Sequence, residues 1–354
     1  MNLKQLGWTN FLNDQFKRFE SNGYSVGRVA LEHKRMYRVY TDKGEILAEI
    51  SGKMRFEALN REDYPAVGDW VVLSIREEEG KATIHGILPR FSKFSRKVAG
   101  LATEEQIIAT NINTVFLVNA LNQDFNIRRI ERYLLLAWES GANPVIVLTK
   151  SDLCTEIDKK VFEVESVAYG VPIHVCSVKE NTGIEQLGMY FDNDQTVALL
   201  GSSGVGKSSL TNCLLGEEKL LVNEVREDDD RGRHTTTHRE LLLLESGGVI
   251  IDTPGMRELQ LWESDNSLSH SFQDIEELTG NCRFRDCSHE TEPECAIRAA
   301  IENGTLDSAR YQSYLKLQRE LAFLERKTNI RAQNAEKEKW KKITSNIKKK
   351  KKLF

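Results

Sequence analysis

No run of about 18 apolar residues occurs in the sequence, and a membrane-crossing helix needs such a run. The first segment, MNLKQLGWTNFLNDQFKRF, likewise lacks the uninterrupted apolar core of a secretory leader, and its charges fall into a helix-like pattern. A cytoplasmic protein with no membrane partner is therefore expected. Cysteine is scarce, at six in 354 residues. Cys154, Cys176 and Cys213 stand singly among apolar residues, as small core side chains do. Cys282, Cys287 and Cys295 instead fall within fourteen positions around His289. In a reducing compartment such crowding points to a metal before it points to disulfides. A large net charge is missing too, the formal value being −4. That balance hides an asymmetry, because residues 327–354 carry +9 and the rest −13. A basic tail on an acidic body suits contact with a polyanion.

A chain of 354 residues exceeds what one core holds, roughly 250–300 residues, so two or three domains are expected. Residues 24–97 read as short strands, YSVGRVALEH, MYRVYTD, EILAEI, DWVVLSI and KATIHGILPR, parted by turn-like stretches. Five strands without a long helix predict a small barrel of the OB type. The exit from that region, RFSKFSRK, interleaves Arg90, Lys93, Arg96 and Lys97 with Phe91 and Phe94. Two readings stay open there: RNA contact through stacking and charge, or a solvated loop whose aromatics pack on the barrel.

From about residue 105 the texture changes. NTVFLVNA, PVIVLTK, PIHVCSVK, TVALLG and GVIIDTPG are apolar strands ending in polar or glycine-rich residues, several of them parted by helix-like segments such as IRRIERYLLLAWESG. That alternation predicts a parallel α/β sheet, whose ligands bind beyond the carboxyl ends of the strands. The candidate motifs all fall at those ends. After about residue 265 a cysteine-bearing loop leads into charged helices and a final lysine run at 348–352.

GSSGVGKS at 201–208 fulfils G-x-x-x-x-G-K-[ST] between an apolar strand and a helix-like stretch. Gly201, Ser202, Ser203, Gly204, Val205, Gly206, Lys207, Ser208 and Ser209 are thus candidates to wrap phosphates with backbone N–H groups. Lys207 would reach the β- and γ-phosphates and Ser208 would ligate Mg²⁺. Asp252 and Gly255, in DTPG, suit a second Mg²⁺ contact and an N–H to the γ-phosphate. Thr149, Lys150, Ser151 and Asp152 fit [NT]-K-x-D, in which the carboxylate accepts from guanine N1–H and N2–H₂. Taken alone, TKSD could equally cap a helix. Ser177, in CSVK, suits the guanine carbonyl. In GRHTTTH one of Thr235, Thr236 and Thr237 must complete the Mg²⁺ shell, and Thr237 is favoured. Cys282, Cys287, His289 and Cys295 supply the ligand count of a closed zinc site.

In chain order, TKSD, CSVK, GSSGVGKSS, TTT, DTPG and a Cys₃His knot resemble the circularly permuted GTPases of the RsgA (YjeQ) family, which are small-subunit ribosome-assembly factors. The likeness spans nearly the whole chain. It implies an OB-fold within 1–98, a permuted GTPase domain at 99–265 and a zinc-binding, mainly helical domain at 266–354; the helical N-terminal extension in the first and the basic tail of the last look like features of a subgroup and are not needed for the likeness. It also implies a monomer that hydrolyses GTP to GDP with Mg²⁺, carries one structural Zn²⁺ and contacts the small (30S) subunit and its 16S rRNA. Turnover would be slow alone, stimulated by the subunit and followed by release. Met256 stands where many GTPases place a glutamine that orients water, which agrees with slow turnover. His234 is by the same likeness the water-positioning candidate, beside Lys207 and Thr237. Two rivals remain: a P-loop ATPase or small-molecule kinase with an accidental TKSD, and an RNA-binding chaperone in which nucleotide turnover is negligible.

Overall fold

The computed structural model describes residues 1–33, 36–97, 105–217, 220, 239–252, 272–290, 292–319 and 321–322. Two compact units emerge, one of residues 1–100 and 104–260, the other of residues 101–103 and 261–354. Among the described residues, no helix is long and apolar enough to cross a membrane.

The first unit opens with α1 (Asn10–Glu20), whose Thr9 cap accepts from the Leu12 N–H. Strands β1 (Ser25–His33), β2 (Met36–Thr41) and β3 (Gly44–Ile50) follow, then α2 (Gly52–Glu57), β4 (Trp70–Arg76) and β5 (Lys81–Ile87). Tyr37, Val39 and Thr41 alternate with half-buried neighbours, the period-two pattern of a strand with one face inward. Pairings run β1-β2-β3-β5-β4 and back to β1, with only β3–β5 parallel. This closed circuit is the expected OB-fold barrel. Val29, Tyr37, Val39, Ala48, Val71, Leu73 and Ile84 fill its interior. On the opposite face of β4, Trp70 and Val72 meet Leu6, Leu12 and Phe16 of the N-terminal segment.

The RFSKFSRK stretch is loop only at its start, residues 90–92. It runs into β6 (Lys93–Lys97), which pairs antiparallel with β7 (Glu105–Thr110), a strand not anticipated from the sequence. Phe94 is buried, and Arg90 pairs with the fully buried Asp69 at 2.6 Å while donating to the carbonyls of Glu62 and Tyr64. Those two residues serve packing. Phe91 and Lys93 are a little under half exposed, Lys93 lying 3.7 Å from Glu62.

The sheet that follows contains β8 (Thr114–Ala120), β9 (Asn143–Thr149), β10 (Ile173–Val175), β11 (Thr196–Leu200), β12 (Glu240–Leu243) and β13 (Val249–Asp252). Their order is β10-β9-β8-β11-β13-β12, all parallel except β12. Every residue of β8 and β11 is buried, as in strands covered on both faces. The chain enters this sheet at its middle, fills one half outward to β10, and returns to β11 on the other flank of β8. A guanine-reading loop can therefore precede the phosphate loop in sequence and still neighbour it in space. Helices α3 (Ile127–Ser140), α4 (Ile157–Glu165) and α5 (Lys207–Leu215) belong to the same unit.

The second unit is mainly helical, with α6 (Gln273–Gly280), α7 (Ala296–Glu302) and a further helix at 308–319. Arg310 binds the Asp274 carboxylate with two nitrogens, at 2.7 and 2.8 Å, and covers the Phe272 ring.

Candidate active site

The phosphate loop leaves β11 at Gly201. A Cβ there would lie 2.4 Å from the Val118 carbonyl, so the backbone approaches β8 as only glycine permits. Gly206, at φ +94°, is the N-cap of α5 and carries no capping side chain. The first N–H groups of α5 are consequently available to an anion. Lys207 Nζ donates to the carbonyls of Gly201 at 2.9 Å and Ser202 at 2.7 Å, inside the curl of the loop. Ser203, Val205, Ser208 and Ser209 complete the loop and first turn, Val205 being buried in the core under it.

The guanine-motif candidates lie against this loop. The Thr149 hydroxyl, at the end of β9, donates to the Val205 carbonyl at 2.6 Å. Lys150 adopts a left-handed φ of +57°, uncommon for a non-glycine residue, and its Nζ reaches the Gly204 carbonyl at 2.7 Å. Asp152 accepts from the fully buried Ser177 hydroxyl at 2.6 Å, and the Ser151 N–H donates to the Cys176 carbonyl at 3.3 Å. TKSD and CSVK thus form one hydrogen-bonded edge, with the Asp152 carboxylate aimed by Ser177. Cys176 beneath it is a core thiol that burial pushes up to about 12. Cys154 and Cys213 are half-buried.

Asp252 ends β13, beside β11, and is buried. Gly255, Met256, His234 and Thr235 to Thr237 lie outside the described residues, as does the lysine tail. Two residues that the motifs did not flag also reach the loop. Arg129 of α3 donates to the Ser202 hydroxyl at 2.8 Å, and that hydroxyl donates to Asp124 at 3.0 Å. Their signal was position alone, since NQDFN follows β8 at the same edge of the sheet as every motif.

In the second unit, the ligand atoms of Cys282, Cys287, His289 and Cys295 all lie within 4.8 Å of one another. His289 Nδ1 is 3.5 Å from Cys282 Sγ and 3.4 Å from Cys295 Sγ. A tetrahedral zinc with bonds of about 2.0–2.3 Å sets its ligand atoms roughly 3.5–3.8 Å apart, so this donor set fits that ion. His289 and Glu294 both take positive φ, which turns the loop tightly enough to bring the four together.

Comparison with known proteins follows the same lines. The RsgA GTPase family model matches residues 87–262. Small ribosomal subunit biogenesis GTPase RsgA 1 of Oceanobacillus iheyensis is 51% identical over 325 residues, covering 92% of this chain and 93% of its own. The chain belongs to the RsgA GTPase family. The RsgA of Opitutus terrae is 46% identical, with 97% of this chain and 96% of its own covered. The crystal structure of YjeQ from Thermotoga maritima superposes with a TM-score of 0.62 at 31% identity, covering 84% of this chain and 99% of that one. YloQ, described as a circularly permuted GTPase, has the same fold, with a TM-score of 0.58 at 24% identity, covering 84% and 95%. An ABC transporter model also matches, over residues 184–349. That span includes the phosphate loop, a feature ABC ATPases and GTPases have in common, while the TKSD edge lies outside it. The RsgA family, with its permuted GTPase core and OB-fold, accounts for both.

Proposed function

We propose that this chain hydrolyses GTP as a late maturation factor of the small ribosomal subunit, in the cytoplasm and as a monomer. The observation that carries this reading is the direct tie between base-reading and phosphate-holding loops. Thr149 and Lys150 bond to the carbonyls of Val205 and Gly204, so the guanine and phosphate subsites form one rigid edge. The relatives' name, small ribosomal subunit biogenesis GTPase, supplies the partner.

In this reading Asp152, aimed by Ser177, accepts from the guanine N–H groups, and the stem of Lys150 covers the base. Lys207 exchanges its two loop carbonyls for the β- and γ-phosphates. Ser208, Asp252 and Thr237 hold Mg²⁺, which neutralises phosphate charge when it arrives with the nucleotide. His234 positions the attacking water and Gly255 senses the γ-phosphate. Cys282, Cys287, His289 and Cys295 hold one Zn²⁺, which closes their loop onto α7. The small subunit, through its 16S rRNA, accelerates hydrolysis, and release follows as GTP becomes GDP.

The test is GTP turnover with and without purified small subunits. Acceleration of at least about tenfold is expected, in line with the large effects of trans-acting partners on other GTPases. Equal rates would instead favour an RNA chaperone that merely binds nucleotide. Asp152→Asn provides the specificity arm, since it should shift preference from GTP toward xanthosine triphosphate.

A further inference from the structure

We infer that Arg129 and Asp124 form a clamp that positions the phosphate loop through Ser202. The inference rests on the phosphate-loop reading above and adds two residues to it. Because β8 and β11 are paired neighbours, with Leu117 opposite Leu200, the chain leaving β8 must rise beside the chain leaving β11. The β8–α3 connection is itself fixed at both ends. Asn122 accepts from the Asp124 N–H at 3.0 Å, and Asn126 caps α3 by accepting from the Arg129 N–H at 3.1 Å.

From this support Arg129 grips Asp124 with two nitrogens, at 2.7 and 3.0 Å. The same Nη1 donates to the Ser202 hydroxyl at 2.8 Å, and that hydroxyl donates to Asp124 at 3.0 Å. Guanidinium, hydroxyl and carboxylate therefore close a ring around one side chain of the loop. The Ser202 carbonyl holds Lys207 Nζ at 2.7 Å, so a shift of Ser202 moves the lysine that meets the phosphates. Only a quarter of the Arg129 side chain is exposed, and the hydrogen bonds with Asp124 hold its guanidinium above the ordinary arginine value.

Asp124 offsets the charge of Arg129, so the clamp acts by geometry rather than by attracting phosphate. A fork that grips two oxygens is a shape lysine cannot copy. Arg129 is accordingly a positioning residue, and charge alone does not replace it.

The experiment titrates the full chain with a fluorescent GTP analogue, using R129Q, R129K, S202A and the R129Q/S202A double variant. Unfolding of the nucleotide-free proteins is followed in parallel. R129Q is expected to weaken binding about tenfold, the size of one lost charge-assisted hydrogen bond. R129K should lose nearly as much despite keeping the charge. S202A, which keeps the Arg–Asp pair and replaces only a half-buried hydroxyl, should weaken binding in the same direction with its unfolding midpoint unchanged. The double variant should lose clearly less than the product of the two single losses, because both remove the Arg129–Ser202 contact and only the Ser202–Asp124 bond is left for the second change to break. Wild-type affinity in R129Q, full recovery in R129K, or losses that multiply in the double variant would each overturn the clamp. Failure of the wild-type chain to bind the analogue would instead overturn the nucleotide-site reading beneath it.

Discussion

Strand β11 is only five residues long, and an arginine holds the chain at each of its ends. At Thr196 the strand starts against the barrel. There the fully buried Arg28 donates to Thr196 Oγ1 at 2.8 Å and to the carbonyls of Leu6, Gly68 and Asn111. Burial pushes Arg28 down to about 9 while the Asp69 carboxylate opposes that, so the guanidinium stays charged at neutral pH. At Gly201 the strand ends in the phosphate loop, where Arg129 is partly exposed and works on a side chain beside open backbone groups. The contrast separates two uses of one residue type. Arg28 spends its donors on acceptors of the fold, joining the N-terminal segment, barrel and sheet. Arg129 spends its own on the loop that meets a ligand.

The largest expected effect is at the open end. Lys207→Ala should reduce GTP binding and turnover by on the order of 100-fold or more, as loss of an aimed charge in such a site does. Its unfolding midpoint in denaturant should stay close to the wild type, because the lysine's bonds to the Gly201 and Ser202 carbonyls lie within the loop itself. The closed end should give the reverse. Arg28→Met takes a donor from the Leu6 and Asn111 carbonyls and the Thr196 hydroxyl in a dry interior, and should cost about 3 kcal/mol in urea unfolding. Molecules that remain folded should bind the nucleotide with near wild-type affinity. Should Arg28→Met instead leave stability intact and abolish binding, the division between the two ends would collapse.

Sequence made the open end legible and the closed end nearly invisible, for a physical reason. Wrapping a phosphate needs glycines, a lysine and a helix start at fixed short intervals, so GSSGVGKSS, TKSD and the five barrel strands could be read directly. The cluster of Cys282, Cys287, His289 and Cys295 was legible on the same ground, since four side chains able to hold one metal from a single loop must lie close in sequence. The closed end assembles Leu6, Arg28, Gly68, Asn111 and Thr196, which are spread over 190 residues and carry no spacing rule. RFSKFSRK was legible only in part, for a related reason. Its charge-aromatic texture suits RNA, yet Arg90 answers Asp69, which is buried and also accepts from Thr110 at 2.7 Å. A carboxylate placed just before an apolar strand, as in GDWVVL, was the available sign that a nearby cation was committed to the core.

Smaller effects sharpen the closed end. Gly7 has a φ of +85°, and a Cβ there would lie 3.0 Å from Arg28 Nη1 and 3.2 Å from the Asp194 carbonyl. Gly7→Ala should therefore cost about 1–2 kcal/mol, combining backbone strain with displacement of the guanidinium. Urea unfolding measures it. A loss confined to the contacts of Trp8, with Arg28 undisturbed, would show up as full additivity with Arg28→Met.

The smallest effect falls on the residue that joins the two ends. Thr196→Val keeps shape and β-propensity but removes the hydroxyl that accepts from Arg28. Arg28 retains three carbonyl acceptors, so the loss should be about 1 kcal/mol, one net hydrogen bond. In an Arg28→Met background the same substitution should cost almost nothing, because its partner has already gone. Nucleotide affinity tests the remaining claim. If β11 is rigid along its length, fully buried and paired on both sides, loosening its first residue should leave the loop after its last one unchanged. A fall in GTP affinity with Thr196→Val would mean that the barrel and the phosphate loop communicate through the strand, and that Arg28 serves function as well as fold.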